Sequence, residues 1–126
     1  MSNPVGEFNL EHTGTVYERT DDGFTSHASF SGIASGYGAV FGTLSFPLPA
    51  KGEIPEGGPC GWVGQAFLED GTNLAGIGDG TWEQVGGEHR WKISMLVEDA
   101  NGDRIRTEGE VELETLIYKG QIYEAD

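Results

Sequence analysis

The chain has 126 residues, 21 of them glycine, 5 proline and 10% aromatic, a length that excludes several domains and a mixture that suits many short strands and turns. A total of 7 Lys and Arg stands against 21 Asp and Glu, a formal net charge of −14, so nucleic acid is excluded as a partner and anionic lipid headgroups are repelled. No apolar run approaches the roughly 20 residues of a spanning helix, Met1 to Leu10 lacks the basic start and apolar stretch of a signal peptide, and Cys60 is the only cysteine, so the expectation is a soluble, cytoplasmic chain with no disulfide of its own.

Helical periodicity is absent, and apolar residues alternate with polar ones along the chain. The first strand, Gly6 to Arg19, alternates Phe8, Leu10, His12, Gly14 and Val16, assigned to the inner face, with Glu7, Asn9, Glu11, Thr13 and Thr15. Strands over Phe24 to Ser31 and Gly36 to Phe46 follow, then the segment Pro47 to Pro59, which holds four of the chain's five prolines and is expected to stiffen into a lid or an edge cover. The fourth strand, Cys60 to Glu69, meets the fifth, Thr72 to Gln84, through Asp70-Gly71. A two-residue turn there sets Phe67 opposite Leu74 and Gln65 opposite Gly76 inside, and leaves Trp62, Ala66 and Leu68 outside with Ile77 as an apolar row for a subunit contact.

Gly86-Gly87, read as a two-residue turn into the sixth strand, Glu88 to Glu98, places Trp82 opposite Trp91, Gly80 opposite Ile93, Gly78 opposite Met95 and Gln84 opposite His89, all on the inner face. The three-residue loop Ala100-Asn101-Gly102 then lets the seventh strand, Arg104 to Ile117, bring Glu110 to Lys92, Glu112 to Arg90, Val111 to Trp91 and Thr107 to Met95. A short eighth strand covers Gln121 to Ala125. One domain over residues 1–126 results: all-β, an eight-stranded antiparallel up-and-down β-barrel, lipocalin-like in general shape, closed because closure removes exposed edges.

The length, the glycine-rich meander and the stretch Gly36-Tyr37-Gly38-Ala39-Val40-Phe41-Gly42-Thr43 resemble the small barrels of the allene oxide cyclase-like and dirigent group. The resemblance implies eight antiparallel strands, an apolar substrate inside, cofactor-free cyclase, isomerase or lyase chemistry, and an oligomer; it transfers no catalytic residue. Gly80-Thr81-Trp82 is similar to the signature of lipocalins and avidins but lies on the fifth strand rather than the first, and the separate His12, His27 and His89 do not form a cupin metal site.

No phosphate loop, zinc-binding H-E-x-x-H or nucleophile elbow occurs, so no metal or cofactor is expected. Cys60, with no His or Lys near it in sequence, reads as an inert side chain, and Glu69-Asp70 as solvated turn residues. Chemistry is assigned to the inner polar set: His89, His12 and Tyr37 as catalytic groups, with Gln65, Phe67, Trp82, Trp91 and Met95 around a small, mainly apolar substrate. Each has a structural alternative, a histidine bonded to Gln84 or a tryptophan pair that is core. Inner glycines at positions 76, 78 and 80 mark either a cavity or strand bending. A non-catalytic carrier uses the same cavity without proton transfer; an assembly module has it filled.

Overall fold

Eight strands follow one another around a closed barrel, each hydrogen-bonded antiparallel to its neighbours in sequence and β1 to β8. The computed structural model describes residues 3–125. The strands are β1 (Gly6–Arg19), β2 (Gly23–Ala34), β3 (Gly38–Pro49), β4 (Gly57–Phe67), β5 (Asn73–Gln84), β6 (Arg90–Asp99), β7 (Arg104–Glu112) and β8 (Ile117–Ala125). The fold is the expected all-β barrel, and the alternation that forms it buries one face of each strand.

The β6–β7 register is as read from the sequence: Lys92 faces Glu110, Arg90 faces Glu112, Trp91 faces Val111 and Met95 faces Thr107. The Asp99 N–H donates to the Asp103 carbonyl at 2.9 Å, and Gly102 takes φ +86° to close the three-residue loop.

The β7–β8 turn lies at residues 113–116, so Ile117 opens β8 instead of ending the seventh strand, and three other registers differ from expectation. The β4–β5 loop is Glu69-Asp70-Gly71, with the Leu68 N–H donating to the Thr72 carbonyl at 2.9 Å and Gly71 at φ +90°. Asp70 stabilises the longer loop by accepting the Thr72 N–H at 2.9 Å. The extra residue moves the pairing by one, to Ala66 with Leu74 and Trp62 with Gly78, so Trp62 and Ala66 turn inward while Gln65 and Phe67 turn outward.

Between β5 and β6 the loop is four residues: the Val85 N–H donates to the Arg90 carbonyl at 2.9 Å, and the Glu88 N–H donates to the Val85 carbonyl at 2.9 Å inside the loop. Trp82 therefore meets Ile93, and Gln84 meets Trp91. A shift of two preserves parity, so Trp82, Trp91 and Met95 keep the inner face. In β1 a bulge between His12 and Gly14 reverses the parity beyond it, pairing Thr15 with Ala28 inside and leaving Val16 outside, 69% exposed.

One half of the interior is solid. Leu44 and Ile93 are fully buried, with Trp82, Phe30 and Cys60 packed near them. The ring of Phe46 meets Trp82 edge-on at 6.3 Å, and Tyr118 lies between Phe8 and Phe30 at 4.8 and 5.5 Å.

Candidate ligand-binding cavity

A cavity of about 100 Å³ occupies the other half, at the end where β2 turns into β3, β4 into β5 and β6 into β7. Its walls are apolar: Val40, Trp62, Ala66, Leu74, Val97 and Ile105 are among them. Space arises where side chains are missing. Gly76 points inward opposite Gly64, and a Cβ added to it would find only the Val97 Cγ1, at 3.4 Å, and the Glu98 carbonyl oxygen within contact distance.

Polar groups are few and placed at two levels. Deep in the wall, Thr107 and Tyr118 face each other's strands, and the Tyr118 phenol, held up by burial, stays a neutral hydroxyl hydrogen-bonded to Thr107. At the rim, Tyr37 comes from the β2–β3 turn, and Asp99 and Asp103 from either side of the β6–β7 loop. Burial, then the negative charges of Asp99 and Asp103, pushes the Tyr37 phenol up from its ordinary value. The Asp99 Oδ1 accepts the N–H groups of Asn101 at 2.9 Å and Asp103 at 3.1 Å, so this carboxylate is fixed by its own loop.

Of the residues assigned from sequence, the cavity gathers Tyr37 and Met95, with Gln65 at the wall through its strand position while its side chain belongs to the exposed outward row. Phe67 is on the outer surface, its ring edge-on to Phe41 at 5.7 Å. Trp82 and Trp91 are in the filled half and do not line the cavity; the Trp82 Nε1 is buried with no hydrogen-bond partner among the described residues, beside Gly58.

His89 is exposed in the four-residue β5–β6 loop, beside Glu88, Arg90 and Glu112 at the opposite end of the barrel. The two residues that the two-residue turn assigned to strand pairing, Glu88 and His89, are the ones that the loop absorbs. His12 is half-buried at the bulge, its Nε2 2.6 Å from the Thr15 Oγ1 and its ring against Phe30. Neither histidine reaches the cavity. The prolines do not form a lid either: β3 runs to Pro49 and β4 starts at Gly57, so the loop is only residues 50–56, exposed at the end away from the cavity.

Trp62, Ala66, Asp99 and Asp103 were not assigned to the site from sequence. Glu69-Asp70-Gly71 carries the same three-residue, glycine-final pattern as Ala100-Asn101-Gly102, and reading it so places Trp62 and Ala66 inside.

Outside the barrel, His27 bridges two groups, with Nδ1 2.7 Å from the Ser45 Oγ and Nε2 2.9 Å from the Glu18 Oε1. Connectivity of this kind suggests a nucleophilic serine, but Ser45 is paired to His27 on one side and Gly61 on the other, in mid-strand. Ladder hydrogen bonds occupy the backbone N–H groups that would have to hold an oxyanion, so the trio is a clasp across the strands. Among the described residues no group of three or more His, Cys, Asp and Glu is placed to hold a metal ion. Comparison with protein-family models, curated proteins and solved structures found no match.

Proposed function

We propose that this barrel binds a small, mainly apolar molecule as a carrier, in the half-open cavity walled by Trp62, Ala66, Leu74 and Val97. The carrying observation is the cavity itself, which a barrel core at native packing density would not leave. An engineered apolar cavity of about 150 Å³ takes up benzene, so about 100 Å³ with an open end suits a short alkyl chain or part of a ring. Isomerase, cyclase or lyase chemistry is the second reading, favoured by the neutral hydroxyls of Tyr37 and Tyr118 at the cavity wall. Proton handling there falls to those phenols and Asp99, because no histidine lines the site.

Titration with a panel of short alcohols and aromatics, followed through Trp62 fluorescence, tests the binding reading. Saturable quenching that disappears in Trp62→Phe supports it; a flat response across the panel overturns it. Among ligands that bind, turnover lost in Tyr37→Phe with binding retained marks an enzyme rather than a carrier.

Self-association is part of the proposal, through a face other than the one first expected. Ile33, Phe41, Val63 and Ile77 are 66%, 54%, 63% and 63% exposed on adjacent strands, and none of the residues between them on that face is charged. Two copies meeting there bury apolar area at the centre of the contact, with the acids Asp79 and Glu98 at its Ile77 edge. A water-solvated barrel is inferred with it: the outward row of β7 is Arg104, Arg106, Glu108, Glu110 and Glu112, which lipid would not solvate.

A further inference from the structure

We infer that the ligand of this cavity is an organic cation, an apolar body carrying a protonated amine; the inference rests on the binding reading above and adds the head group. Among the described residues, the charged side chains lining the cavity are Asp99 and Asp103, both at its rim, and no Lys, Arg or His lines it. Arg104, next in sequence, starts the outward row of β7 and is not among the lining residues. An apolar tail inserted between Trp62, Val97 and Ile105 leaves its head at that rim, beside Tyr37.

Charge then discriminates among heads. A carboxylate or phosphate would enter against two acids, Asp99 held in place and Asp103 exposed beside it, within a chain of net charge −14, and repulsion of this kind in a partly desolvated mouth is costly. An alcohol meets no such barrier and can donate its O–H to a carboxylate, but it lacks the attraction between opposite charges. An ammonium group gains a charge-assisted hydrogen bond to the Asp99 carboxylate, which need not reorganise because the N–H groups of Asn101 and Asp103 already hold it, and the Asp103 charge adds to the attraction. The Tyr37 hydroxyl, kept protonated, is a neutral neighbour that does not compete for the cation.

The test compares hexylamine, 1-hexanol and hexanoate at pH 7 and low ionic strength, by Trp62 fluorescence and by NMR shifts of Ala66 and Val97. Expected is hexylamine binding about tenfold tighter than hexanol, the scale of one hydrogen bond to a charged group, with hexanoate weakest. In Asp99→Asn/Asp103→Asn, which keeps the Oδ1 acceptor of the loop, hexylamine falls to the affinity of hexanol and hexanol is unchanged. Hexanol binding as tightly as hexylamine overturns the cation inference and leaves the cavity reading standing. No binding of any of the three overturns both. Hexylamine binding that survives Gly76→Leu is attachment to the acidic surface, and also overturns the inference.

Discussion

The indole of Trp62 lies across the bare backbone of Gly42, so closely that a Cβ on Gly42 would overlap the ring. Gly64, opposite Gly42 on the neighbouring strand, borders the same ring. These two inward glycines let a large side chain lie flat against the wall, and the cavity exists beside it because Gly76, the next in the row, has no such ring over it. The Gly42→Ala variant must displace Trp62 or strain the strand, and overpacking of this kind costs ~1–3 kcal/mol. Thermal unfolding should show a Tm several degrees lower, with Trp62 emission altered. Gly14→Ala is the control, since nothing lies within 4 Å of a Cβ there; equal loss in both variants would refute the packing account.

Gly76→Leu is the plug. Its side chain would enter the cavity past Val97, whose Cγ1 lies 3.4 Å from the added Cβ. Filling apolar space commonly adds ~0.5–2 kcal/mol to stability, so Tm should hold or rise while ligand binding is lost. Binding that persists at wild-type affinity would place the ligand elsewhere.

The outer half of the fold was legible because turn chemistry and side-chain parity constrain each other. Ala100-Asn101-Gly102 fixed the β6–β7 pairing residue by residue, since only an odd loop lets the acidic row of β7 face Arg90 and Lys92. The β5–β6 loop hid two residues, yet an even error moves partners without turning faces, so Trp82, Trp91 and Met95 are inside as expected, the two tryptophans in the filled half, while His89 falls in the loop. Asp70-Gly71 hid one residue, and an odd error exchanges inside for outside: Trp62 and Ala66 for Gln65 and Phe67. The bulge after His12 is marked only by Gly14, which in a strand reads equally as a site of bending or of open space. Local chemistry therefore gives the strands and most faces, while the cavity depends on registers in which one residue matters.

Cys60 is 6% exposed, and burial, aided by the negative charge of Asp79, pushes its thiol up from 9.0 to about 11. A raised folded value means that the native state holds the proton more tightly than the unfolded chain, so this stabilising contribution is complete below about pH 9 and is lost as pH rises through about 11. The Tyr118 phenol, raised by burial, acts in the same direction. Denaturant midpoints should fall across that alkaline range, and less so in Cys60→Ala. At pH 8 an aromatic disulfide reagent should leave the native thiol untouched and label it in guanidinium; rapid native labelling would contradict the buried placement.

Phe41 and Phe67 meet edge-on in the open, at 5.7 Å, next to Val63 and Ile77 on the same outward surface. The row expected from sequence placed Trp62 and Ala66 there, but both point inward, and Ile77 alone carries over. If this face joins two copies, two forces oppose each other: apolar burial draws them together, and a net charge of −14 on each pushes them apart at long range. Screening shortens only the second, since the Debye length falls from about 30 Å at 0.01 M salt to about 10 Å at 0.1 M. Sedimentation should therefore show association that strengthens with salt, and Val63→Glu should abolish it by setting a charge at the centre of the face. Thermal stability should be little changed in the dissociated variant, because Val63 is 63% exposed in the single chain. A monomer at every salt concentration would remove the interface, and association that survives Val63→Glu would place it on another face.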